Sequence, residues 1–89
     1  MLKIKDNVDL KELEKFGFKP EYDEDDGELY KYYHEYNFSY GKAKNSVEIF
    51  IYTDDKIINC WCNGYKAGEY FGDLLYDLIQ ADLVEKVVK

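Results

Sequence analysis

Apolar residues recur in this chain with two periods, three to four near its ends and two in its middle. Near the start, Leu10, Leu13 and Phe16 share one side of a short helix over 10–16. Asp9 is its expected N-cap, with Glu12 three residues on completing a capping box and Val8 placed to pack on Leu13. Gly17 stands where a left-handed residue ends a helix, and Phe18 where it returns to touch Leu13. About two turns of helix are marginal alone, so this element must lean on something larger.

From Leu29 to Tyr40 the period changes to two: Tyr30, Tyr32, Tyr36, Phe38 and Tyr40 fall at even positions, with His34 filling the gap. This predicts a long strand. The preceding run 19–28 holds Pro20, which suits a sheet edge, and Asp26-Gly27, which signals a tight turn. A loop over 41–45 leads to a strand over 47–52, and Asp54-Asp55 turns the chain into another over 57–62, completing an antiparallel meander. After a loop over 63–68, Tyr70, Phe71, Leu74, Leu75, Leu78 and Ile79 return to helical spacing. Phe71, Leu74, Leu75 and Leu78 are expected inward. A chain reversal near Ala81-Asp82 precedes a C-terminal segment over 83–88 read as a short edge strand, with a helix extension as the alternative. The expected fold is α+β: one domain over 1–89, a two-layer sandwich in which a meander of about four strands carries both helices on one face.

Composition narrows the function classes. Nineteen Asp and Glu against twelve cations give a net charge of −7, and every cation is lysine. A surface without arginine and with a negative balance disfavours direct nucleic-acid binding, which draws on basic patches and the guanidinium fork. The N-terminus lacks the apolar run of a secretion signal and no apolar stretch is long enough to span a bilayer, so a cytoplasmic location without membrane contact is expected. Cys60 and Cys62, two apart, read as free thiols packed in a sheet face.

Candidate chemistry is sparse. Aligning Gly27 on the glycine of an EF-hand loop puts Tyr22 and Tyr33 at essential ligand positions, so the acidic run 23–28 reads as a solvated hairpin tip. Cys60 and Cys62 point to one side of a strand but lack two further soft ligands for zinc, and His34 is the single histidine. Glu35 is its strand neighbour and faces the other way. Ser39 and Ser46 sit outside any nucleophile elbow. The expectation is no catalytic residue, no cofactor and no metal.

The sequence Lys-Ile-Lys-Asp-Asn-Val-Asp-Leu-Lys-Glu-Leu at 3–13, Phe-Gly-Phe at 16–18, and Leu-Tyr-Asp-Leu-Ile-Gln-Ala-Asp-Leu-Val-Glu-Lys-Val at 75–87 resemble small uncharacterised proteins encoded in phages and prophages of low-GC Gram-positive bacteria. The matching blocks cover about a third of the chain. The resemblance implies a phage-borne accessory protein and supplies no site residue.

Ten Tyr, five Phe and one Trp in 89 residues exceed what a two-layer core of this size requires. Tyr30, Tyr32, Tyr36, Phe38 and Tyr40 are therefore candidates for a protein-contact or dimer face, with packing beneath the helices as the competing reading. If they face the helices, Leu29 and Tyr33 look away. The expected function is a non-enzymatic interaction module with a protein partner or a second copy. The alternative is an acidic inhibitor that occupies a basic nucleic-acid-binding site, and a third class, an enzyme, has no motif behind it.

Overall fold

In Val47, Ile49 and Ile51, β-branched residues alternate with larger or polar ones, and all three are buried. Such residues suit a pleated, packed surface, and here they form the middle of the sheet. The computed structural model describes residues 1–87. Its elements are β1 (Leu2–Ile4), a 3₁₀ helix (Leu10–Phe16), β2 (Lys19–Tyr22), β3 (Leu29–Tyr40), β4 (Ala43–Tyr52), β5 (Ile58–Asn63), α1 (Ala67–Gln80) and β6 (Val84–Lys86). The fold is α+β, with an antiparallel four-stranded sheet in the order β2-β3-β4-β5. Both helices pack on one face of it, around Ile4, Leu13, Phe18, Tyr32, Val47, Ile49, Ile51, Ala67 and Leu78.

The first helix forms at the expected residues but winds as a 3₁₀ helix. Its apolar residues stand three apart, and at three residues per turn Leu10, Leu13 and Phe16 eclipse into one row against the core. Asp9 caps it by accepting from the Lys11 N–H at 3.0 Å. The reciprocal half of the capping box is not made, because Glu12 turns to Lys15 at 2.7 Å. Gly17 ends the helix at φ 90°, donating to the Glu14 carbonyl while Phe18 N–H reaches back to Leu13, the expected Schellman pair.

A Cβ at Gly17 would lie 3.3 Å from the His34 ring, at a backbone angle that side chains rarely adopt. Gly17→Val should therefore lower stability by about 1 to 3 kcal/mol, read as a fall in the urea midpoint at unchanged slope. An unchanged midpoint would remove the helix stop from the account.

Helix α1 begins inside the stretch read from sequence as a loop. Its N-cap position, Lys66, offers no side-chain cap. Asn45, buried at the start of β4, supplies one from a distance by accepting from the Lys66 N–H at 3.0 Å. At the other end Asp82 takes the left-handed conformation, and the N–H groups of Asp82 and Leu83 close on Ile79 and Leu78. The Asp82 carboxylate also receives Lys5 Nζ at 2.6 Å. The chain then enters β6, the expected C-terminal strand, which pairs with β1 rather than with the meander. β1, three residues long, has no sequence signature and was not expected. It joins the sheet through a bridge from Lys3 to Ile57 and an Ile4 N–H to Lys56 carbonyl bond. Val88, the end of the segment read as strand, lies outside the described residues.

Candidate contact surfaces

The even-numbered residues of β3 face the helices, so they do not form the open side of the sheet. Tyr32 is core at 2% exposure, and its hydroxyl donates to Glu14 at 3.3 Å. A residue so buried cannot meet a partner, which corrects its place among the candidate contacts. Burial pushes the Tyr32 phenol above its usual pKa, with the nearby Glu14 carboxylate adding to the shift.

Further along β3 the same face meets the first turns of α1. Tyr36 and Phe38 stack at 5.4 Å between centroids, and Tyr70 of α1 lies 4.4 Å from Tyr36 and 6.2 Å from Phe38. Tyr40 crosses Tyr65 edge-on at 5.7 Å, and Lys66 Nζ stands 4.9 Å above the Tyr40 ring. Tyr36, Phe38 and Tyr40 thus line an open-sided depression of about 350 Å³, closed by Lys66, Glu69, Tyr70 and Asp73. It exists because β3 outruns α1: the helix covers the aromatic row only part of the way. Tyr30, at the opposite end of β3, sits beside Asp23, Glu28 and Asp54 instead.

His34 ties this cluster together. Nδ1 lies 3.2 Å from the Gly17 carbonyl and Nε2 2.8 Å from the Tyr70 hydroxyl. A carbonyl can only accept, so Nδ1 carries the proton in the neutral ring and Nε2 accepts from Tyr70. One imidazole thereby links the 3₁₀ helix, β3 and α1. The Tyr70 phenol is held above its usual pKa, by loss of water first and by Tyr36 second.

The opposite face carries Tyr33, Phe50, Tyr52 and Trp61. Register places Tyr33 directly across from Phe50, Lys31 across from Tyr52, and Glu48 between Glu35 and Trp61. Phe50 and Tyr52 meet edge-on at 5.6 Å, and Lys31 Nζ lies 5.8 Å from the Phe50 ring. Neither helix packs here, and Trp61 is 55% exposed. Of these four aromatics only Tyr33 stood out as outward in the sequence. The signal for the rest lay in β4: with Val47, Ile49 and Ile51 inward, Phe50 and Tyr52 must point out, and pairing carries the same parity to Trp61.

The acidic run forms one end of the molecule. Asp23 accepts from the Asp25 and Asp26 N–H groups, and the Asp23 N–H to Glu28 carbonyl bond closes the loop. The β4–β5 turn brings Asp54 alongside. No group of three or more His, Cys, Asp or Glu among the described residues is arranged to hold a metal ion.

Cys60 and Cys62 pair with Ile49 and Val47 and so share the core side of the sheet. Both are nevertheless exposed, not packed as expected, because α1 rests mainly on β4 and leaves the distal part of β5 bare. Their sulfurs stand 3.2 Å apart. The Cys60 thiol is pushed up to about 12, first by lost hydration and then by the hydrogen bond and charge of Cys62. No described helix is long and apolar enough to cross a membrane. The chain matches no family model, no curated protein and no solved structure.

Proposed function

We propose that this chain is a non-enzymatic protein-interaction module whose contact surface is the open sheet face. The observation that supports it is Tyr33, Phe50, Tyr52 and Trp61 standing together on a face that neither helix covers. Aromatic side chains supply large contact area for little entropy and are enriched at interfaces. The four strands, 4, 12, 10 and 6 residues long, present a plane of about 500 Å² at about 3.3 Å per residue and about 4.8 Å between strands. A specific interface takes about 800 Å² of accessible surface from each partner, and side-chain relief raises the accessible area of this face above its flat projection.

Charge favours a basic partner over a second copy. Glu35 and Glu48 stand directly opposite each other among these aromatics, and no ion pair reaches either one among the described residues. Like charges at opposed positions repel. A two-fold stack centred on this face would set that pair against itself, whereas a lysine or arginine would neutralise it. The phage-borne setting is a further part of the proposal and rests on the resemblance of the terminal blocks alone.

A second reading, an acidic inhibitor that blocks a basic nucleic-acid-binding site on a host protein, is favoured by the carboxylates of 21–28 and Asp54 gathered at one end. The readings differ in the surface used. Affinity capture should compare the wild type with Tyr52→Ser/Trp61→Ser, with Glu24→Gln/Asp25→Asn, and with Tyr76→Ser as an exposed control on α1. A partner held by the wild type and the control but weakened at least about tenfold by the Tyr52/Trp61 change supports the open face. Loss confined to the carboxylate variant supports the inhibitor. A chain that stays monomeric and retains the same partner with all three variants overturns both.

A further inference from the structure

The dithiol on β5 has a geometry that selects its ligand. Cys60 and Cys62 are exposed neighbours on one side of the strand, with sulfurs 3.2 Å apart. With bonds to sulfur of about 2.3 Å, sulfurs at that spacing subtend about 88° at a shared atom. A tetrahedral centre needs them about 3.8 Å apart and a linear one about 4.6 Å apart at the same bond length. An angle near a right angle belongs to a pyramidal main-group centre, which bonds through nearly pure p orbitals and keeps its lone pair to itself. Such a centre needs only three bonds, so two thiols and one substituent complete it.

We propose that Cys60 and Cys62 form a chelating site for monosubstituted trivalent arsenicals. In the reaction the arsenic–oxygen bond and two S–H bonds break, two arsenic–sulfur bonds form, and both thiol protons leave with the oxygen as water. Arsenic stays trivalent, so no oxidant or reductant takes part. A divalent cation, by contrast, brings no acceptor for the two protons, which pass to water as it binds. The strand backbone sets both cysteine side chains on the same side of β5 before the ligand arrives, and the bare stretch of β5 leaves a clear approach.

The test uses the full chain, reduced and freed of reductant, with phenylarsine oxide as the probe. Intact-mass spectrometry should find one phenylarsenic unit per chain, with the two thiol protons lost. Excess glutathione, a monothiol, should not strip it, while dimercaptopropanol, a dithiol, should. Cys60→Ser and Cys62→Ser should each lose retention against glutathione by about a hundredfold or more, the loss expected when a two-point attachment becomes a single bond. Thermal midpoints of both variants, close to that of the wild type, separate this loss from unfolding. Stripping of the wild-type adduct by glutathione as readily as from the variants would overturn the proposal, as would full retention by either variant. One equivalent of zinc held by the reduced chain would overturn the angle argument.

Discussion

Gly64→Ala should be among the most damaging single changes in this protein. The glycine has φ of 100°, and a Cβ there would land on Asn45 Oδ1, 2.7 Å from Asn45 Cγ and 2.9 Å from the Lys44 carbonyl oxygen. Asn45 is buried, and that same oxygen accepts the Lys66 N–H that opens α1. Moving it aside frees a helix-start donor and leaves a buried amide short of partners. Positive φ and the lost hydrogen bonding together predict a loss of about 2 to 4 kcal/mol. A double-mutant cycle isolates the cause. In an Asn45→Ala background the added methyl has more room and no cap left to displace, so the Gly64→Ala penalty should shrink by at least about 1 kcal/mol. Additive penalties in denaturant unfolding would mean that Gly64 and Asn45 do not act through each other.

Leu78→Ala carries the second large effect. Leu78 is 1% exposed and packs α1 onto the core formed by Tyr32, Ile49 and Ile51. Truncating a buried leucine loses both transfer free energy and contacts around the cavity, about 2 to 5 kcal/mol. A domain of 89 residues has a total stability of about 5 to 13 kcal/mol, so this one change consumes a large share. At about 4 to 8 °C per kcal/mol, the thermal midpoint should fall by at least about 8 °C. Ile79, the next residue and 47% exposed, is the control. Ile79→Ala should cost less than about 1 kcal/mol. Equal losses at the two positions would mean that α1 presents a different face to the sheet.

Ile79 also shows where periodicity is coarse. Spacing groups it with Leu75 and Leu78 on one apolar stripe, yet the sheet is wide enough to bury only the centre of that stripe. The parity of β3 was legible in the same partial way. Alternation placed Tyr30, Tyr32, Tyr36, Phe38 and Tyr40 on one side, but no local property tells a strand which side a helix will cover. That choice follows from α1 and the 3₁₀ helix docking together through Leu13, Phe18 and Leu78. Once they dock, Tyr32 becomes core, Tyr36, Phe38 and Tyr40 become the wall of a depression, and the outward aromatics are Tyr33, Phe50, Tyr52 and Trp61.

What the chain determined by itself is local. The Asp9 cap, the Gly17–Phe18 stop, the parity of β3 and β4, the shared side of Cys60 and Cys62, and the acidic tip all follow from bonds and side-chain directions within a few residues. Tertiary structure decided the rest, because each remaining feature depends on a partner distant in sequence. Asn45 starts a helix 22 residues away, β1 finds β6 at the far end of the chain, and His34 joins Gly17 to Tyr70. The exposure of the two thiols likewise depends on where α1 comes to rest. Burial is a property of a neighbour's position, and a neighbour's position is set only when the whole core has packed.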